Sequence, residues 1–128
     1  MTYYINKTIS AEFDKAIELV TKALKTEGFG VLSEIDIQQT LKEKLDVDFR
    51  KYTILGACNP PNALKALQQE DKIGTMLPCN VIVQETGKNQ VEIAAVDPAA
   101  SMMAVENEQL AAIATDIRAK LERVIASL

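Results

Sequence analysis

The chain has 128 residues, of which 48% are hydrophobic and 25% charged, values that are ordinary for one globular domain. Its net charge of −4 and its lack of a basic cluster argue against nucleic acid, which is bound through Lys and Arg contacts with phosphates. The absence of histidine excludes Ser-His and Cys-His nucleophile pairs, as well as zinc sites with imidazole ligands. Any enzyme built on this chain must use carboxylates, tyrosine, lysine or thiols.

Localisation signals are also absent from the sequence. No apolar run reaches the length of a transmembrane helix, and residues 1–7 lack the charged-then-apolar order of a signal peptide. We therefore expect a cytoplasmic protein without a membrane partner. In that reducing compartment the two cysteines, Cys58 and Cys79, are expected to be thiols rather than a structural disulfide.

The first 51 residues predict strands alternating with helices. The first helix is amphipathic, with apolar side chains at helical spacing: Phe13, Ile17, Val20 and Leu24. In chain order, the pattern predicts a strand over residues 3–8, a helix capped by Ser10 and ended by Gly28, a strand over residues 29–34, and a short helix capped by Asp36 that ends near Leu45. Residues 46–51 are a charged connection.

The remaining residues predict three more strands and two more helices. Residues 52–58 read as a central strand, after which Asn59 caps a helix with Pro60 at its first position. We expect Leu64 and Leu67 to form the buried stripe of that helix. Residues 80–85 and 91–96 form two strands joined by a turn over residues 86–90, and a final helix spans about residues 107–128 with apolar positions Leu110, Ile113, Ile117, Leu121, Val124 and Ile125.

The element order βαβαβαββα combines crossover connections with one hairpin. This order predicts an α+β sandwich in which helices pack on a mixed or antiparallel sheet. We find no linker, so residues 1–128 are expected to form a single α+β domain.

A Cys-Asn dipeptide occurs twice, and each copy lies at one end of a predicted strand. Cys58 lies just before a helix start, where the helix dipole lowers the pKa of a thiol. However, Pro60 and Pro61 remove two N–H donors from the first turn of that helix, which makes it a poor anion site. The alternative for both cysteines is a small buried thiol that packs at a strand end.

The separation of the two cysteines depends on the strand order. A parallel crossover would place Cys58 and Cys79 at opposite ends of the sheet, whereas an antiparallel arrangement or a dimer would bring them together. A disulfide requires Cα atoms within about 7 Å. We expect no intrachain disulfide.

Two other sets of side chains are candidates for chemistry. Together with the cysteines, Met76, Met102 and Met103 would suit Cu(I), although their spacing matches no metal motif and methionine commonly fills cores. Asp97 closes the last strand, and carboxylates at strand ends act as acids, bases or metal ligands but are also ordinary caps. The glycines form no nucleotide-binding pattern.

The sequence resembles domain-of-unknown-function family 302, a group also called TT1751-like. The resemblance covers essentially the whole chain and is carried by four segments: Gly28-Phe29-Gly30-Val31-Leu32, Ile54-Leu55-Gly56-Ala57-Cys58-Asn59-Pro60, Leu77-Pro78-Cys79-Asn80-Val81 and Asp97-Pro98. It implies a compact α+β domain that forms a homodimer. It does not supply an activity, because the function of that family is unassigned, and the cofactor is unknown.

Three functional hypotheses remain open. The first is a small cytoplasmic binding domain whose pocket or dimer groove holds a small ligand, a soft metal or a sulfur species. Its contacting thiols would be Cys58 and Cys79, with Asn59 and Asn80 as hydrogen-bond partners and Asp97 as a nearby carboxylate. The second is a thiol-dependent redox or sulfur-transfer enzyme. The third is a homodimeric interaction module without a small-molecule site.

Overall fold

The computed structural model describes residues 2–128 as an alternation of helices and strands. The elements in chain order are β1 (Tyr4–Ser10), α1 (Phe13–Thr26), β2 (Gly30–Asp36), α2 (Ile37–Leu45), β3 (Tyr52–Cys58), α3 (Pro60–Gln69), a 3-10 helix (Asp71–Met76), β4 (Cys79–Gly87), β5 (Gln90–Val96), α4 (Pro98–Ser101) and α5 (Glu108–Ala126). The five strands form one sheet in the order β1-β5-β4-β3-β2. Every neighbouring pair is antiparallel, so the predicted α+β class is confirmed.

Helices α1 and α5 cover one face of this sheet. Alternate residues of the central strands point into that layer, and Leu55, Val81, Val83, Val91 and Ile93 are completely buried there. The buried side chains of α1 and α5 complete the same core, among them Val20, Leu24, Leu121 and Val124. The predicted final helix is confirmed with nearly the expected bounds. None of the helices in residues 2–128 is long and apolar enough to cross a membrane.

Of three predicted residues at the ends of α1 and α2, the structure confirms two and contradicts one. Gly28 ends α1 as predicted, since its φ of +83° is readily adopted only by glycine and the Phe29 N–H donates to the Leu24 carbonyl at 3.0 Å. Asp36 caps α2 by accepting from the N–H of Gln39 at 2.9 Å, also as predicted. The prediction that Ser10 caps α1 is wrong, because Ser10 pairs with Gln90 as the last residue of β1.

The buried stripe of α3 differs from the prediction. Leu64 and Leu67 are 58% and 43% exposed, whereas Asn62 and Ala66 are buried. Asn62 donates through Nδ2 to Asp116 Oδ2 on α5 at 3.2 Å, and Ala66 packs in a small cluster with residues of α5. The small side chain and the hydrogen bond allow α3 to lie against α5, and the leucines consequently face outward.

Candidate functional site

The antiparallel pairing of β3 with β4 brings the two cysteines to one end of the sheet. Cys58 is the last residue of β3, and Cys79 is the first residue of β4 and pairs with Ala57. The parallel crossover alternative is therefore wrong, and the antiparallel alternative is confirmed. Both cysteines are free thiols, and Cys79 is buried while Cys58 is half-buried.

A cavity of about 240 Å³ opens at this end of the sheet, and both cysteines line it. Its walls come from distant parts of the chain, and their apolar members include Phe29, Leu77, Met102 and Ile117. Its other polar lining residues are Asn59 and Asn62. Among residues 2–128, those that line the cavity include no charged side chain.

Cys79 is held in its protonated form. Its side chain is only 6% exposed, and this burial, together with the neighbouring thiol of Cys58, raises the pKa of Cys79 to about 11. Near neutral pH the cavity therefore presents Cys79 as a neutral thiol. Cys58 is the more exposed of the two residues.

Asn59 joins two helices at the edge of the cavity. Its Oδ1 accepts from the N–H of Asn62 at 3.3 Å, which confirms the predicted cap of α3. Its Nδ2 donates to the carbonyl of Glu27, the residue that follows α1, at 3.1 Å. A side chain at Gly28 would place a Cβ 3.1 Å from that Nδ2, so glycine also allows this close approach. Asn59 therefore holds the end of α1 against the start of α3.

The other two predicted site residues lie outside the cavity lining. Asn80 follows Cys79 in β4 and consequently points to the opposite face of the sheet, where it is exposed. Asp97 caps α4 through the N–H groups of Ala99 and Ala100, and its Oδ2 lies 3.0 Å from Nε of Arg118. The structure thus brings Cys58, Asn59 and Cys79 together but not Asn80 or Asp97.

Sequence reasoning missed the parts of the cavity that come from distant elements. Asn62 and Ile117 line the cavity, and the only signal for Asn62 was its position three residues after the cap Asn59. Of the three methionines grouped with the cysteines, Met102 lines the cavity, whereas Met76 and Met103 do not. Residues 2–128 contain no group of three or more His, Cys, Asp or Glu side chains that could hold a metal ion.

The opposite face of the sheet carries a second, wider cleft of about 380 Å³. Its lining comes from β1, β3, β4, β5 and Tyr3, and it includes Asn80 and all three tyrosines of the chain. A chain of hydrogen bonds crosses this face, since Arg50 donates to Gln84 while Gln84 and Asn6 both donate to Glu92, each at 2.8 Å. Both carboxylate oxygens of Glu92 therefore already accept hydrogen bonds from amide groups of the same chain.

A row of apolar side chains also crosses this second face. Ile35 pairs with Ile54, Ile54 with Ile82, and Ile82 with Ala94, so the four lie side by side on four strands. Ile35 is 47% exposed, and the other three are half-buried.

Comparison with known proteins identifies the family. The profile of the family described as "Domain of unknown function DUF302" matches residues 5–128. A crystal structure of an uncharacterized conserved DUF302 protein from Bacillus stearothermophilus is 28% identical to this chain, covers 98% of both chains and has a TM-score of 0.90. No curated protein matches the sequence. Because the family profile spans nearly the whole chain, this protein belongs to the DUF302 family.

Proposed function

We propose that this protein is a small-ligand binding domain whose ligand occupies the cavity at Cys58 and Cys79. The observation that supports this proposal best is the cavity itself, which has apolar walls and is lined by two free cysteines. Its volume of about 240 Å³ lies just below the range of about 300–1,000 Å³ that is typical of ligand pockets. The ligand is therefore small.

The absence of charged groups from the described lining residues limits the charge that the ligand can carry. No lining residue within residues 2–128 is cationic, and the Cys79 thiol is neutral near pH 7 because its pKa is about 11. Pro60 and Pro61 at the start of α3 have no N–H to donate to an anion. These features favour a neutral ligand, a soft metal or an uncharged sulfur species over an anion.

The same features argue against Cys79 as the reactive thiol of a redox or sulfur-transfer enzyme. Such a reaction requires a thiolate, and a thiol with a pKa of about 11 is almost fully protonated near neutral pH. Cys79 is thus a poor nucleophile and a poor resolving thiol. A cytoplasmic location, which we propose from the sequence, would keep both cysteines reduced.

The test is native mass spectrometry of untagged protein purified under reducing, chelator-free conditions. We expect a bound mass that disappears in Cys58→Ser. Met103→Leu is the matched control, because Met103 lies one residue from the lining residue Met102 but is itself 64% exposed and outside the cavity. If Cys58→Ser retains the bound mass at the occupancy of the wild type, the thiol has no role in binding.

A second candidate function is homodimerisation through the second face of the sheet. Antiparallel sheets that face water usually carry polar residues on that side. Here the exposed face carries an apolar row instead, made of Ile35, Ile54, Ile82 and Ala94, which favours contact with a partner protein. The three tyrosines beside this row agree with that interpretation, because tyrosine is enriched at protein–protein interfaces. A second copy of the chain offers the same apolar row, as a two-fold interface requires.

Sedimentation of single variants tests the dimer. We expect Ile82→Glu to convert a dimer to a monomer, because it places a charge in the middle of the row. Leu64→Glu, at an exposed leucine on α3, is the control and should leave the dimer intact. A wild type that sediments as a monomer at high concentration would refute this second proposal without affecting the first.

A further inference from the structure

Three sulfur-bearing residues from separate segments of the chain line the cavity. Cys58 ends β3, Cys79 begins β4, and Met102 follows α4. Met102 is 6% exposed and packs with a small cluster that includes Ile73 and Leu110, so its position is fixed by the core. Cys58 is half-buried and is the more exposed of the two cysteines.

The side-chain atoms that could act as metal ligands in the cavity determine which metal ion it can bind. Zinc sites use combinations of Cys, His and carboxylate ligands, usually four, and the lining residues that the structure describes, all within 2–128, contain no histidine or carboxylate. Calcium and magnesium require several oxygen ligands, but the oxygen-bearing side chains here are two amides, of which Asn59 already caps α3. Thiolate and thioether sulfur are the donors that Cu(I) prefers.

We propose that this cavity binds one Cu(I) ion through the sulfurs of Cys58 and Cys79, with the Met102 thioether as the third ligand. This assignment rests on the proposed function in that it uses the same cavity and names its ligand. The apolar walls suit an ion held by soft, nearly covalent sulfur bonds, and they exclude the water that would compete for it.

Charge and proton balance are consistent with this assignment. Each thiol releases its proton as its sulfur binds the metal, so the two thiolates and Cu(I) together carry a single negative charge. Cys58 immediately precedes the N-cap of α3, and the positive end of the α3 dipole lies next to that charge. Because two protons leave, the affinity is expected to rise with pH.

An anaerobic titration with Cu(I) in the presence of a chromogenic Cu(I) chelator tests the proposal. We expect the wild type to withdraw one Cu(I) per chain from the chelator and to develop a thiolate-to-metal band in the ultraviolet. Cys58→Ser should abolish this transfer. Met102→Leu, which conserves side-chain volume, should weaken the affinity at least about tenfold, whereas Met103→Leu should have no effect.

The outcomes separate this inference from the proposed function. If the wild type takes no Cu(I) but a small neutral probe such as benzene still enters the cavity, the metal assignment is overturned and the binding function stands. If neither probe enters, both fail. If Met102→Leu binds Cu(I) as tightly as Met103→Leu does, the three-sulfur site is wrong.

Discussion

Replacing Asn59 with alanine should destabilise the protein by about 2 kcal/mol. The substitution removes the cap of α3, which contributes typically about 1 kcal/mol. It also removes the hydrogen bond from Nδ2 to the Glu27 carbonyl, which contributes about another 1 kcal/mol. For a chain of 128 residues, this loss corresponds to a fall in Tm of roughly 6–12 °C.

Urea unfolding of Asn59→Ala and Asn59→Ser separates the two contributions. Serine keeps an oxygen that can cap α3, but it is too short to reach the Glu27 carbonyl. We therefore expect Asn59→Ser to lose about half as much stability as Asn59→Ala. An alanine variant within about 0.5 kcal/mol of the wild type, or a serine variant as unstable as the alanine variant, would refute this account of Asn59.

Three further predictions concern stability. Gly56→Ala should cost about 2 kcal/mol or more in urea unfolding, because its Cβ would lie 2.4 Å from the Ser33 hydroxyl and 2.8 Å from Cγ of the rigid Pro78 ring. Gly30→Ala, with no atom of residues 2–128 within 4 Å of its Cβ, should cost less than about 1 kcal/mol. The free energy of unfolding should fall by up to about 3 kcal/mol between pH 9 and 11, because the Cys79 thiol ionises in the unfolded chain near its ordinary pKa of 9.0 but in the folded state only at about 11. Below pH 9 that contribution is fully present, and a Cys79→Ala variant with the same pH dependence as the wild type would contradict this explanation. Asp97→Ala should lose about 1 kcal/mol with the cap of α4 while retaining the bound ligand, and loss of the ligand in a folded Asp97→Ala variant would place Asp97 in the site.

Much of the fold could be predicted from hydrophobic periodicity and turn residues. The strand over residues 52–58 has the predicted bounds, and Gly28, Asp36 and Asn59 end or cap helices as expected. The orientation of α3 could not be predicted, because hydrophobicity alone favours burial of Leu64. The buried side is instead determined by partners that are distant in sequence, such as Asp116 on α5.

The candidate site was predictable only in part. Cys58 and Cys79 were identified because they lie at strand ends, but whether they meet depends on antiparallel pairing, which local sequence does not specify. The repeated Cys-Asn dipeptide predicts Asn80 in the same site as Cys79, but side-chain alternation along β4 directs Asn80 to the other face of the sheet. Met102 and Ile117 reach the cavity only through the packing of α4 and α5, which periodicity does not reveal.

The most direct test of the binding function is methyl NMR of the folded protein during titration with benzene. We predict that the methyl signals of Ala66 and Met102 shift in the wild type, because both residues line the cavity. Ala63→Leu should abolish these shifts by filling the cavity, whereas Ala112→Leu, at an exposed position on α5, should preserve them. An unchanged wild-type spectrum, or equal shifts in the Ala63→Leu variant, would contradict the claim that this cavity is the binding site.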